Sequence, residues 1–349
     1  MFYLIFISVI LSYLALSAGR AEAGFNLRPS EEPHQRPYNG KFGYIDRNGK
    51  LAINFQFDDA DDFSEGLAKV KFEGRYGYID KTGQVIVFPQ FDECESFCEG
   101  LAPVMIGGKY GYINNLGLMV IPPQFDNAQK FSEGLAAVSI GGRWGFVDKT
   151  GLFVINPQFD KAGRFSEGVA KVQIGARLGF IDKDANFIIK PRFDKAWQFT
   201  EGLAAVCVDK KWGYVNTSGT LVVGFHLDWA WPLSSGLAAV LAEDKWGYIN
   251  ALGHMVIRPQ FDNAVSFSEN LAHVYVGKWQ VGRCGYIDKT GRFMINPQYT
   301  LAGEFKEGLA IVRTDHRWLF IDGKGNIVIK PEYDMVWNFS EGLARVNII

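Results

Sequence analysis

From Phe42 onward the chain is a succession of short runs in which aromatic and β-branched residues alternate with polar ones, each run cut off by Gly, Asp, Asn or Ser. A representative stretch reads Trp144-Gly145-Phe146-Val147-Asp148-Lys149-Thr150-Gly151, then Phe153-Val154-Ile155-Asn156-Pro157-Gln158-Phe159-Asp160, then Phe165-Ser166-Glu167-Gly168-Val169-Ala170-Lys171-Val172. Every run is of strand length and none carries a 3.6-residue stripe long enough for a helix, so the pattern predicts an all-β protein. The Asp-Lys-Thr-Gly tetrads at 80–83, 148–151 and 288–291 predict hairpin turns, with Asp accepting from turn amides and Gly supplying the positive φ. A glycine inside the first strand of each unit implies close approach of an aromatic ring or a neighbouring backbone. In Leu-Ala-x-Val, repeated at 67–70, 135–138, 203–206 and 343–346, alternation puts Ala and Val on one tightly packing face. The x position carries Lys69, Pro103, Ala137, Lys171, His273 and Arg345, the variety expected of a solvent position.

These runs belong to one unit copied end to end. The motif Gly-Tyr/Phe-Ile/Val-Asp/Asn has its first glycine at Gly43, Gly77, Gly111, Gly145, Gly179, Gly213, Gly247 and Gly285, with Leu319 in the ninth slot. Neighbouring anchors stand 34 residues apart, as Gly43 to Gly77, except that Gly247 to Gly285 spans 38, which places a four-residue insertion within Val276 to Arg283. A unit this short cannot bury a core alone, so stacked copies must share one. Each unit reads as three strands plus a compact turn. The expectation is therefore a tandem array of nine three-stranded β-meander repeats over 42–349. An open, curved, solenoid-like array is favoured over a closed propeller-like toroid, because propeller blades carry four strands in about 40 to 50 residues.

The units resemble the bacterial WG-repeat family, in its exported form, through Trp144-Gly145, Trp212-Gly213 and Trp246-Gly247, and the resemblance extends from Phe42 to Val346. Departures are Phe42, Tyr76, Tyr110, Leu178 and Cys284 in the Trp slot, Leu319 in the Gly slot, and Gly224-Phe225-His226-Leu227 in place of Pro-Gln-Phe. The resemblance implies a binding or scaffold surface rather than an activity.

The N-terminus differs from the rest. Phe2 to Leu16 is uncharged and mostly apolar, and Ala21-Glu22-Ala23 suits signal-peptidase cleavage, which predicts a signal peptide over 1–23, a linker over 24–41 and export to the periplasm, cell surface or medium. An uncleaved anchor over Phe2 to Ala18 is the rival reading. With 36 basic and 38 acidic residues and no block of like charge, nucleic acid is not an expected partner, nor is a membrane beyond the signal segment. Cys94 and Cys98 form the close pair and are the candidate disulfide; Cys207 and Cys284 are isolated, and no metal site is expected.

Acidic residues recur in register, as Asp58, Asp92 and Asp126 after an aromatic and as Glu65, Glu99 and Glu133 before glycine. Calcium ligation or a glycosidase pair would need a singular constellation, whereas these appear in almost every copy and so predict turn capping and backbone hydrogen bonding. The histidines fall in different slots and no phosphate-cradling loop occurs, so neither catalytic residues nor a cofactor are expected. Function is better sought where copies vary. Two residues before the knuckle Phe or Leu lie Trp197, Trp231 and Trp337, where other copies have Asp61, Glu95, Gln129, Gly163, Val265 and Gly303. Such a slot predicts exposure. Together with Trp229, and Trp279 in the insertion, these indoles form a candidate aromatic shelf for sugar rings or peptide side chains, against the alternative that each shields a strand edge. The reading is a noncatalytic binding or scaffold protein for a protein or envelope polysaccharide. The alternatives are a structural spacer and a cell-envelope hydrolase.

Overall fold

The computed structural model describes residues 40–278, 281–315 and 317–348. The signal peptide, most of the linker and Trp279 lie outside the described residues, and Lys41, assigned to the linker, already begins a strand. The described chain forms nine antiparallel four-stranded sheets arranged as the blades of a closed ring. In blade 1 the strands are Asp59–Ala60, Leu67–Phe72, Arg75–Asp80 and Val85–Phe91, hydrogen-bonded in that order. Blades 2 to 8 follow the same plan from Glu93, Asn127, Lys161, Lys195, Trp229, Asn263 and Leu301. The ninth, closing blade joins both ends of the chain: Leu51–Phe57 and Lys41–Ile45 pair with Leu343–Ile348 and Met335–Ser340.

Two expectations are thereby corrected. The array is a nine-bladed propeller and not an open solenoid, because Lys41–Ile45 pairs antiparallel with the last strand from Lys41 opposite Ile348 to Ile45 opposite Ala344. The blades have four strands and not three, because the compact turn contains a strand of two residues, such as Asp59–Ala60. A 34-residue period suffices because the connections are short: a single residue, Asp58, carries the chain from Phe57 to the next blade. Neighbouring blades bond through their first strands, as Gln129 Nε2 to the Ala162 carbonyl at 3.2 Å. The fourth strands carry exposed apolar residues such as Phe88 and Val154. The first strand is thus innermost and the fourth lies on the rim.

The repeated glycine answers a backbone contact. A Cβ on Gly145 would stand 2.4 Å from the Ile155 carbonyl oxygen, where the bulged fourth strand crosses the third. The Ser-Glu-Gly-Leu knuckle is a two-residue hairpin turn: Ser64 and Leu67 exchange backbone hydrogen bonds, and Glu65 and Gly66 both have positive φ, 55° and 83°. Holding Glu in this costly conformation aims its carboxylate at the next blade. It accepts from the next knuckle's glycine amide, as Gly100 N to Glu65 at 2.9 Å, and Gly66 N to Glu341 at 3.0 Å carries the series across the closure. Ser64 Oγ likewise donates to the Phe97 carbonyl at 2.9 Å, and Ser340 Oγ to Phe63 at 2.8 Å. The other acidic series binds the lower turns: Asp92 accepts from Gly107 N at 2.8 Å, and Asp228 pairs with Lys211 at 2.6 Å. Exposed ion pairs of this kind contribute little each; the recurrence of the acids reflects their placement between strands.

The x position of Leu-Ala-x-Val faces the neighbouring blade, not solvent. Ala137, Ala205 and Ala239 are fully buried, Pro103 is buried, and Arg345 is 7% exposed with its guanidinium on the Ala60 carbonyl. Both faces of this strand pack, so its variety records differing inter-blade contacts.

Two outcomes test this architecture. Truncation after Gly342 removes the strand that pairs with Lys41–Ile45, and calorimetry should show the single unfolding transition of the intact ring replaced by a broad, much lower one. Gly145→Ala should cost about 2 kcal/mol or more in urea denaturation, because the Cβ meets backbone that cannot rotate away.

Candidate functional site

The variable slot directly follows the two-residue first strand in blades such as 5 and 6, and lies inside the six-residue first strand at Gly163, Gly303 and Trp337. Its backbone is held on both sides: Trp197 N donates to Ala205 O at 2.9 Å and Trp231 N to Ala239 O at 3.0 Å, while Tyr214 Oη of the preceding blade donates to the Trp231 carbonyl at 2.7 Å. With the main chain fixed, the side chain can change without disturbing the blade. That side chain borders the space between blades, where Asp61, Trp197 and Trp231 are half-buried and Val265 is buried, while Glu95 is exposed.

Trp197, Trp229, Trp231 and Trp337 are half-buried rather than exposed, which corrects the open shelf. Three of them join two WG-slot indoles in one cluster across blades 5 and 6. Ring centroids lie 5.4 Å apart for Trp197 and Trp231, 5.1 Å for Trp212 and Trp229, and 5.7 Å for Trp229 and Trp231. Trp197 stacks on Trp212 at 6.4 Å and Trp231 on Trp246 at 6.5 Å. Trp212 and Trp246 are core, whereas Trp144 is half-buried against it. Trp337 stands apart in the closing blade, beside Phe42 at 5.7 Å and with the Arg345 guanidinium 4.3 Å from its ring centroid.

Where the cluster reaches the surface it borders a groove of about 410 Å³ between blades 5 and 6, whose apolar floor is Trp212 and Trp229. Lys195, Lys210, Asp194, Asp209 and Asp228 surround it. Two of the three carboxylates are engaged: Asp194 by Arg177 and the Asp209 amide, Asp228 by Lys211. Neither lysine has an ion pair among the described residues, and Lys195 Nζ lies 5.9 Å from the Trp229 ring centroid. The groove therefore offers an indole surface beside two ammonium groups without ion pairs and the carboxylate of Asp209. Sequence reasoning found Trp229 but not the lysines; a signal lay in the hairpin pair Asp209-Lys210, where other copies have Gly107-Gly108 or Gly141-Gly142.

Cys94 and Cys98 are both free, so the candidate disulfide is not formed. Cys94 is packed among Val87, Phe91 and Phe97, and burial pushes its thiol up to about 12, while Cys98 sits in the knuckle with its backbone paired to Leu101. Among the described residues no three His, Cys, Asp or Glu side chains gather as a metal site.

The sequence profile of the WG containing repeat matches nine segments, from 42–76 through 144–176 and 246–278 to 320–348. The chain belongs to the WG-repeat family. No curated protein matches it. Among solved structures, a eukaryotic initiation factor aligns with TM-score 0.59 at 12% identity over 84% of this chain and 96% of that one, a likeness of fold alone. Kluyveromyces lactis Hsv2p aligns with TM-score 0.41 at 9% identity over 66% and 92%. PorZ, a surface component of the type-IX secretion system of Porphyromonas gingivalis, aligns with TM-score 0.32 at 10% over 85% of this WG-repeat chain and 50% of PorZ. Fits as loose as the last two carry no argument about function.

The indole cluster makes its own test. Trp197→Ala and Trp231→Ala should each cost about 2 kcal/mol in denaturant unfolding, and the double variant should fall short of additivity by about 1 kcal/mol, because the rings lie 5.4 Å apart.

Proposed function

We propose that this WG-repeat ring is a noncatalytic binding or scaffold protein that acts after export and holds an acidic envelope polysaccharide in the Trp212–Trp229 groove. The observation that carries the reading is the pairing of an apolar indole floor with two lysines lacking ion-pair partners among the described residues. Pyranose rings stack their C–H faces on indoles, and carboxylate or phosphate substituents would answer Lys195 and Lys210. The recurrent carboxylates are committed to bonds between strands and blades, which favours binding without hydrolysis. Export rests on the apolar segment Phe2 to Leu16 and the Ala21-Glu22-Ala23 site.

A polygalacturonate column serves as the probe, with dextran as the uncharged control. The protein should be retarded on the acidic polymer alone, and retention should fall about tenfold in Trp229→Ala and in Lys195→Ala, since a few aromatic and charged anchors dominate such contacts. Equal behaviour on both polymers, or full retention by both variants, would exclude the groove as an acidic-glycan site.

A further inference from the structure

A second cavity lies two blades further round, and the internal repeat explains its origin. Trp231 and Trp246 pack with Ala264 and Phe267 of blade 7, and Trp229 lies against the same cluster. The residues in register with these three indoles in blade 7 are Asn263, Val265 and Cys284. Three rings are thus replaced by small side chains, and the released space appears as a cavity of about 190 Å³ between blades 7 and 8. The insertion borders it: Tyr275, on the cavity wall, donates its hydroxyl to the Lys278 carbonyl at 3.1 Å.

The cavity also has a polar group aimed at nothing. His273 occupies the x position, where blades 5 and 6 have Ala205 and Ala239, and its ring lies 6.2 Å from Tyr286, edge to face. It hydrogen-bonds the Gly303 backbone and is held by burial well below the ordinary imidazole range, at about 4, so the ring is neutral. Its Nδ1 is enclosed and has no hydrogen-bond partner among the described residues. A neutral imidazole that donates from one nitrogen presents an acceptor at the other. The titratable groups around it add no charge in the interior: burial raises the Cys284 thiol to about 12 and lifts the Tyr275 and Tyr286 hydroxyls, and Glu304 sits exposed at the mouth. An apolar cavity of about 150 Å³ accepts a benzene ring.

We propose that this cavity binds a small neutral molecule, about the size of one six-membered ring, that is apolar over most of its surface and donates one hydrogen bond to His273. The site is independent of the tryptophan groove and of what that groove holds. The pairing of an apolar wall with one buried acceptor selects against both ions and pure hydrocarbons, since a hydrocarbon leaves the acceptor unsatisfied.

Phenol and toluene are the probes, titrated into the full chain and followed by NMR chemical shifts and by thermal stabilisation. Phenol should bind saturably, with Kd on the order of 1 mM, and toluene about tenfold more weakly. His273→Leu should abolish that preference. Phenol affinity should hold constant from pH 8 to 5.5, where the imidazole stays neutral. Cys284→Trp restores the ring that the repeat carries elsewhere and should eliminate binding of both probes while keeping the fold. If that variant fails to fold, Val265→Trp, which copies the preceding blade, gives the same reading. No saturable binding to the natural chain, equal affinity for phenol and toluene, or undiminished binding in the filled variants each overturns the proposal.

Discussion

A blade of this protein has two faces, and each is apolar enough to need a neighbour. Consecutive blades meet face to face, and the ring closes within the ninth blade, where Lys41–Ile45 from one end of the repeat region pairs with Leu343–Ile348 from the other. Without that pairing the buried surfaces around Tyr44, Phe63 and Phe339 would stand in water, and two strand edges would be left without partners. The knuckle series depends on it as well. Each Glu–Gly contact holds one blade at a set angle to the next, and the series returns to its start through Glu341 and Gly66. Closure turns a set of local contacts into one cooperative body.

The same knuckle bonds tie most blades together, with Ser235 and Asn270 interrupting the Glu–Gly series between blades 6 and 7, and on this shared backbone the chemistry between blades varies. In blade 1 the inter-blade space holds charge: burial raises the Asp61 carboxyl, yet Lys69, 3.5 Å away, and Arg345 carry it below its ordinary value. In blade 4 the corresponding Lys171 donates to a backbone carbonyl, that of Ala196 at 2.8 Å, and burial lowers its ammonium to about 8. In blades 5 and 6 the space holds indoles, and in blade 7 it is partly vacant. One scaffold thus presents differing environments around one ring, which is the physical content of a scaffold role for a WG-repeat protein.

Much was legible in the chain before folding. Alternation and the absence of helical stripes determined an all-β protein, and the spacing from Gly43 to Leu319 determined nine equivalent units. The glycine in the third strand announced a backbone contact that the structure places at Ile155, and the near-universal acids announced backbone hydrogen bonding. These are local properties, since each rests on residues within a unit or in the next. Tertiary structure alone decided the rest. Whether a row of blades closes depends on a small rotation per unit summed nine times, and on partners as distant as Asn347 and Lys41, for which no local pattern carries a signal. The two-residue strand was invisible because Asp59–Ala60 is too short to show alternation. The variable positions looked exposed because variation among copies marks solvent in an ordinary alignment. In a ring, the same variation marks the surfaces where each blade meets a different neighbour.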